Sequence, residues 1–355
     1  MSKLIDFCIN ITDGEHNTVL KDKDTGYYLL ANENLINGEV VFSKGDREIS
    51  KEQFDKIYKR CKIENGDILV STVGELGKLA IVESYNKNYV FQRSVGLIKP
   101  DKYKLSPYYL YYFLSSENTQ KKIKYLSYGS MQKGLTLDTI KNFEADFPIN
   151  VNVQEKIIKP LRLIDTQIKR NNVMVQKLQV LGKTIYSKKT TNCLFDKMSL
   201  NVVITTGKED ANHARINGRY KFFTCGDNSL MCDDFKFEGK SVLVAGNGNF
   251  NVKYYDGKFN AYQRTYIIKN DKIIGNLYYT LLFNTELFRK KSNGSIIKFI
   301  TIDMLNKIDI PIFSNEINST LNAILSNINE IQNNTIQLQC LKNKLLPLLI
   351  NQQLV

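Results

Sequence analysis

Two stretches carry the clearest pattern of apolar and polar positions in the chain. Ile157, Leu161, Ile164, Ile168, Val175, Leu178 and Ile185 alternate steps of three and four, with Asn171 and Gly182 in the gaps of the register. Ile317, Leu321, Ile324, Ile328, Ile331, Leu338, Leu345 and Leu349 do likewise, with Thr335 and Lys342 in the gaps. An apolar residue every 3.5 positions is the seam of a coiled coil. The pattern predicts helices over 152–190 and 314–355, and two such stripes in one chain can pair with each other antiparallel. Two surface helices packed on their own domains would show the same stripes. Asn171 and Thr335 in a seam would cost stability and help set register. Pro160 should start the first helix or kink its first turn.

Before and between these helices the pattern is that of short strands and short helices, an α+β composition. Tyr27–Leu30 and Val40–Phe42 read as strands, and Lys51–Tyr58 as a helix capped by Ser50. Ile68–Val73 and Leu79–Val82 flank a glycine turn like a hairpin; Tyr89–Ile98 reads as a further strand. Pro107 opens a helix over Tyr108–Leu114. The order then recurs. Tyr89-Val90-Phe91-Gln92-Arg93-Ser94 returns as Phe259-Asn260-Ala261-Tyr262-Gln263-Arg264-Thr265, which aligns Gln92-Arg93 with Gln263-Arg264. Gly129-Ser130 through Thr136-Leu137-Asp138 returns as Gly294-Ser295 through Thr301-Ile302-Asp303, and Pro148-Ile149 as Pro311-Ile312. Lys240–Ala245 with Gly246-Asn247-Gly248 mirrors the earlier strand and turn, and Leu277–Phe288 replaces the helix after Pro107. A period this long is a domain plus a helix. It divides the chain into a domain at 1–151, a helix at 152–190, a second domain at 191–313 and a distal helix at 314–355. The openings of the two copies, Ile11–His16 and Ile204–Glu209, are much less alike. Scaffolds that match under loops that diverge fit two sites with different targets.

Charge narrows the partner. Lys and Arg outnumber Asp and Glu 49 to 36, a net +13, which favours nucleic acid or an anionic membrane. No apolar run approaches the ~20 residues that span a bilayer, and the N-terminus lacks a signal-peptide core, so a cytoplasmic protein is expected. Between 154 and 189 nine basic residues face two acids, whereas 315–355 carries two of each. One face of a basic rod could meet phosphates or an acidic subunit; a solvated coiled-coil flank is the equal alternative. A helix from about 153 to 188 would run on the order of 50 Å, against ~34–36 Å per turn of B-DNA. Domains on such a rod could meet one duplex a turn or more apart.

The residues offer little catalytic chemistry. The six prolines include no adjacent pair, so the Asn-Pro-Pro-Tyr or Asp-Pro-Pro-Tyr tetrapeptide of an adenine methyltransferase is missing. There is no phosphate loop of the Gly-x-x-x-x-Gly-Lys-Ser/Thr type, and Gly246-Asn247-Gly248-Asn249 lacks the third glycine of a nucleotide loop. His16 and His213 are the only histidines, one in each copy. Cys8, Cys61, Cys193, Cys225, Cys232 and Cys340 form no C-x-x-C pair, so reduced thiols are expected rather than a metal site. No residue is singled out as catalytic.

Taken together these stretches resemble the specificity subunit of type I restriction–modification systems. The resemblance rests on Gly66-Asp67-Ile68-Leu69-Val70-Ser71-Thr72-Val73-Gly74-Glu75-Leu76-Gly77, on the Gly-Ser-x-x-Lys…Thr-x-Asp segments leading to Pro148 and Pro311, and on Gln154, Ile157, Leu163-Ile164-Asp165 and Ile168. It covers nearly the whole chain, although little precedes the first domain. It implies two target-recognition domains joined by two long antiparallel coiled-coil helices. It further implies a non-catalytic subunit that reads one half of a split, asymmetric site in double-stranded DNA with each domain. Two methyltransferase subunits, carrying S-adenosylmethionine and methylating adenine, and restriction subunits using ATP and Mg would be the partners; this chain would hold no cofactor. A specificity subunit for a partner with nuclease and methylase fused is a second reading. A DNA-modifying enzyme acting alone and a coiled-coil scaffold with carbohydrate- or protein-binding domains are others.

Arg and Lys recognise guanine edges, Asn and Gln recognise adenine, and other basic groups hold phosphates. Candidate contacts in predicted turns and strand ends are Asp13, Glu15, His16, Asn17, Lys44, Arg47, Lys78, Gln92, Arg93, Gln132 and Lys133 in the first copy. In the second they are Lys208, His213, Arg215, Arg219, Asn247, Asn249, Lys253, Gln263, Arg264 and Lys298. A Gln-Arg shared by both copies cannot explain different targets, nor can Lys133 with Lys298, so base reading is expected from Asp13–Asn17 and Lys208–Arg219. Solvated surface side chains are the plain alternative for any of them.

Overall fold

The computed structural model describes residues 2–128, 134–200, 202–291 and 299–351. The candidates Gln132, Lys133 and Lys298, with the Gly-Ser-x-x-Lys stretches at 129–133 and 294–298, lie outside them. The chain divides into two compact units, one of residues up to Thr166 together with those from Gln339, the other Gln167–Leu338. Each long helix therefore contributes to both, and neither division falls at a helix end.

In the first unit, β1 (Cys8–Asp13) is followed by β2 (Tyr28–Leu30), β3 (Arg47–Glu48) and α1 (Lys51–Cys61). Then come β4 (Ile68–Ser71), β5 (Leu79–Ile81), β6 (Tyr89–Phe91), β7 (Val95–Pro100), α2 (Pro107–Ser115), α3 (Glu117–Tyr128), α4 (Leu137–Lys141) and α5 (Val151–Thr190). One sheet runs in the order β1-β7-β4-β5, all antiparallel; a second runs β3-β2-β6 with β2 parallel to β6. Period-two alternation along β4 explains the layering. Ile68 and Val70 enter a core with Tyr109, Leu110, Tyr112, Ile157, Ile158 and Leu161. Leu69 faces the other way, among Leu29, Leu30, Phe54, Val90 and Leu97. Ser50 Oγ accepts from the Gln53 amide at 3.2 Å while Gln53 Oε1 accepts from the Ser50 amide at 3.3 Å, so the capping box starts α1 where its first apolar residue permits.

The second unit repeats the plan with β8 (Val203–Thr206), β9 (Tyr220–Phe223), β10 (Leu230–Cys232), β11 (Phe237–Glu238), β12 (Ser241–Ala245), β13 (Val252–Tyr255), β14 (Lys258–Ala261) and β15 (Thr265–Lys269). Helices α6 (Ile274–Phe283), α7 (Thr285–Lys291), α8 (Ile302–Asn306) and α9 (Asn315–Ile350) follow. Its sheets run β8-β15-β12-β13 and β10-β9-β14-β11, with β9 parallel to β14. The strand orders of the first sheets are the same in both units, and so is the parallel pair. Along β12, Val242 and Val244 enter one core and Leu243 the other.

Two expected elements are each two. Tyr89–Ile98 breaks at Gln92–Ser94, where the chain leaves one sheet for the other. Leu277–Phe288 breaks at Asn284, whose amide closes α6 on Thr280 and Leu281 at 3.1 Å each. Phe42 lies in a loop after a strand of only Glu39–Val40.

Asn150 precedes helix α5, its carbonyl accepting from Val153 and Gln154 and its Oδ1 from Asn152. Pro160 is inside the helix rather than at its start. In the first unit Gln154 is fully buried, its Oε1 accepting from the Ser106 amide at 2.7 Å and its Nε2 donating to Lys104 O and Pro148 O at 3.0 and 2.7 Å. Asp165 accepts from Tyr112 Oη at 2.7 Å and from Lys342 Nζ at 2.7 and 2.9 Å, which brings the last turns of α9 onto α5. Leu345, Leu346, Leu349 and Ile350 pack there with Ile157 and Leu161. In the second unit Asn171 Nδ2 donates to Asn334 Oδ1 and Thr335 Oγ1, both at 3.0 Å. Val175, Leu178 and Ile185 pack in one cluster with Leu321, Ile324 and Ile328. Rising numbers on α5 meet falling numbers on α9, so the pairing is antiparallel in each unit. Ile164 is buried, while Ile168, Ile331 and Leu338 are half-buried at the same heptad spacing. Gly182 fills its gap because the Tyr279 ring lies where a Cβ would be, 1.8 Å from the Tyr279 hydroxyl.

The polar seam gives a first expected outcome. Asn171→Ala should lower stability by about 1 kcal/mol through the lost hydrogen bonds, whereas Asn171→Leu with Thr335→Val should recover it by making the seam pair apolar while exposed Asn334 turns to water. Urea unfolding of the two variants measures the difference.

Candidate nucleic-acid interface

The chemistry gathers where three loops of each unit meet. In the first unit β1 ends at Asp13 and the chain turns at Gly14. Gly14 is required there: a Cβ would stand 2.1 Å from Phe91 O and 2.3 Å from Gln92 O. The amide of Glu15 donates to Phe91 O at 2.7 Å, the amide of Arg93 returns to Glu15 O at 2.9 Å, and Glu15 bridges Gln92 in parallel. The hairpin between β4 and β5 closes the group. Thr72 N donates to Ser94 O and Thr72 Oγ1 to Arg93 O, both at 3.0 Å, while Asn32 Nδ2 donates to Val73 O at 2.9 Å.

The second unit builds the same thing. A Cβ on Gly207 would stand 2.2 Å from Tyr262 O and 2.3 Å from Ala261 O. Glu209 bridges Tyr262, and Gln263 N donates to Glu209 O at 2.9 Å. Gly246 N donates to Arg264 O at 2.8 Å, which brings the Gly246–Asn249 turn alongside.

These bonds correct the expected alignment of the copies by one residue. Leu30 pairs Phe91 as Phe223 pairs Ala261. Gln92 therefore stands where Tyr262 does, Arg93 where Gln263 does, and Ser94 where Arg264 does. The Gln-Arg dipeptide is not shared between equivalent positions, so the reason for setting it apart from base reading falls away. The first unit is one residue shorter here, Glu15 answering to Glu209 rather than to Lys208.

Among the candidates, Asp13, Glu15, His16, Asn17, Gln92, Arg93 and Lys78 come together in the first unit. His16 Nε2 lies 2.7 Å from Asp13 Oδ2. Asn17 donates its amide and its Nδ2 to Glu15 Oε1 at 2.9 and 2.7 Å, and the backbone bond in particular holds that carboxyl below its usual range. Arg93 is exposed; Lys78 pairs with Glu75 at 2.8 Å across the hairpin turn. Arg60 of α1, not anticipated, donates to Gly14 O and, at 3.4 Å, to Asp13 O. Only the fold brings α1 to this loop. Lys44 and Arg47 are exposed beyond β2, Arg47 donating to Val19 O at 3.3 Å.

In the second unit Lys208, His213, Asn247, Gln263 and Arg264 come together. Gln263 Nε2 donates to Asp210 Oδ1 at 3.0 Å. Arg264, Lys208 and Asn249 are exposed. Lys253 is half-buried, donating to Gly226 O and lying 5.9 Å from the Phe223 ring centre; burial holds its pKa below the ordinary lysine value. Arg215 donates to Asn212 O and Ala214 O at 3.3 and 3.1 Å in its own loop, and Arg219 is exposed before β9. His213 Nε2 lies 2.6 Å from Asp234 Oδ1 and its Nδ1 3.4 Å from Glu209 Oε2. Cys232 Sγ joins His213 and Asp234, a convergence that cysteine spacing did not reveal because the ligands come from separate segments.

The chemistry of such an end is recognition: exposed Arg, Gln, Asn and Lys groups on loops that a rigid sheet corner holds in place. No helix among the described residues is long and apolar enough to cross a membrane.

Comparisons with known proteins agree with this picture. Residues 16–179 and 196–342 match the model of the type I restriction modification DNA specificity domain. The chain is 43% identical over 100 residues to the type I restriction enzyme EcoDI specificity subunit of Escherichia coli, covering 28% of this chain and 22% of that one. It is 32% identical over 147 residues to the EcoBI specificity subunit of the same organism, covering 40% and 30%. The matched part is thus less than a third of either relative's length. The crystal structure of the type-I restriction-modification system S subunit from M. genitalium shares the fold, with a TM-score of 0.67 at 15% identity over 98% of this chain and 95% of that one. With both of its repeats matched, the chain belongs to the type I restriction–modification DNA specificity domain family.

Proposed function

We propose that the chain is the DNA-sequence-recognition subunit of a type I restriction–modification complex. Each unit reads one half of a bipartite, asymmetric site, and the lengths of α5 and α9 set the unread gap. The chain itself carries no catalysis. Two methyltransferase subunits, using S-adenosylmethionine to methylate adenine, and restriction subunits using ATP and Mg act where it binds. The observation that carries this reading is the three-loop end built twice on one strand register with different side chains: Gln92, Arg93 and Ser94 against Tyr262, Gln263 and Arg264. The relatives, both type I specificity subunits, favour it over a partner with nuclease and methylase fused.

Two measurements test it. Affinity of the full chain for duplex DNA should fall linearly with salt on logarithmic axes, as phosphate contacts release counterions. Exchanging residues 1–150 for those of a homologue should change one half of the methylated site, read by mapping methylated adenines with and without the gene. Salt-insensitive binding, or an exchange that alters both halves or neither, would sink the proposal.

A further inference from the structure

Beside the three-loop end of the second unit, three side chains of metal-ligating type converge. His213 ends a short turn, Ala211–His213, that begins at Asp210. Cys232 ends β10 opposite Tyr220 and is fully buried. Its backbone is clamped, since a Cβ on Gly218 would stand 2.5 Å from both its nitrogen and its oxygen. Asp234 follows two residues on and is exposed, leaving a path from solvent. One ligand atom from each of the three lies within 4.8 Å of the others. The imidazole is oriented from its far side: Nδ1 faces Glu209 Oε2 at 3.4 Å, which leaves Nε2, 2.6 Å from Asp234 Oδ1, toward the cluster. A carboxylate on the second ring nitrogen is the usual support of a metal-bound histidine.

Carboxylates crowd this corner. Glu209 and Asp234 flank the two nitrogens of His213, and Lys236 forms an ion pair with Glu209. An anionic knot next to exposed Gln263 and Arg264 opposes a polyanionic partner. Thiolate, imidazole and carboxylate together are a borderline-soft set that suits zinc.

We propose that His213, Cys232 and Asp234 bind a zinc ion, with water completing a tetrahedral shell and Glu209 orienting the histidine. On binding, the thiol loses the proton it now donates to Asp234 O, at 3.1 Å, to solvent, and a sulfur–zinc bond forms. The ion staples the loop after β8 to the end of β10 and lowers the negative charge beside the β14–β15 turn. Its occupancy does not depend on the chain's reading DNA, so the two ideas fail separately.

The test is metal analysis of the untagged full chain from zinc-supplemented cells, followed by zinc titration of chelator-stripped protein. About one zinc per chain should survive dialysis, and cobalt(II) should give a thiolate charge-transfer band. His213→Gln and Asp234→Asn, both at or near the surface, should weaken zinc binding by at least about 10–100-fold, the loss seen for supporting residues alone. Glu209→Gln should lose less than either. Cys232→Ser should abolish the cobalt band; since that position is buried, circular dichroism of each variant keeps a folding defect apart from a lost ligand. A wild type that dialyses to a metal-free state, or binding unchanged in His213→Gln and Asp234→Asn, would overturn the assignment.

Discussion

Gly14→Ala and Gly207→Ala are each expected to cost roughly 3 kcal/mol and to disable recognition by their own unit only. The reason is that the clash is with backbone. A methyl at Gly14 would meet the carbonyls of Phe91 and Gln92 at 2.1 and 2.3 Å, and one at Gly207 those of Tyr262 and Ala261 at 2.2 and 2.3 Å. A flexible side chain could swing away; a sheet corner cannot. Relief requires the loop to leave the corner, breaking Gly14 N to Val95 O, Glu15 N to Phe91 O and Arg93 N to Glu15 O, or their counterparts from Gly207, Glu209 and Gln263. Gly45→Ala is the control, because nothing lies within 4 Å of its Cβ and no left-handed backbone is involved; it should stay within about 0.5 kcal/mol of the parent. Denaturant unfolding compares the three. Equal midpoints for Gly14→Ala and the parent would mean that the corner is not built as described.

Arg93→Ala and Gln263→Ala are expected to weaken binding to the cognate duplex by a factor of about ten to a hundred, each through a different half-site. The estimate follows from about 1–3 kcal/mol for a bidentate contact to a base edge. The two residues hold equivalent places, each amide donating to the carbonyl of a glutamate, Glu15 or Glu209, at 2.9 Å. Arginine suits guanine and glutamine suits adenine. Arg93→Gln should accordingly relax or shift the preferred base at one position of one half-site. Competition between duplexes substituted base by base measures this, together with the salt slope. If Arg93→Ala weakens every sequence alike and lowers the slope by about one, the side chain holds a phosphate instead.

Much of this architecture was readable before any coordinates. The seam of α5 and α9 is a property of spacing along one helix, so Ile157 to Ile185 and Leu321 to Leu345 announce it directly. Ser50 marks the start of α1 for the same local reason. The duplication was visible because apolar strands such as Ile68–Ser71 and Ser241–Ala245 recur in order, and the likeness of family followed from that order. Asn171 was recognisable as an exception within the stripe, though its partners Asn334 and Thr335 were not.

The hairpin of Ile68–Ser71 with Leu79–Ile81 is as expected, but the pairing of strands far apart in the chain is not legible in the pattern. The stretch from Tyr89 to Ile98 reads as one strand; it is two because Gln92–Ser94 crosses between sheets, and periodicity does not tell a polar interruption within a strand from a crossing. Matching letters set Gln92 on Gln263, whereas the parallel pairing of Phe91 with Leu30 and Ala261 with Phe223 sets it on Tyr262. Arg60, on a helix far along the chain, reaches the loop at Gly14, and His213 meets Cys232 and Asp234 across β9 and β10. The sequence by itself determined the helices, the duplicated plan and the family, because each rests on neighbours in the chain. Tertiary structure alone decided register and convergence, because a hydrogen bond between distant strands selects its partner by geometry that no local pattern encodes.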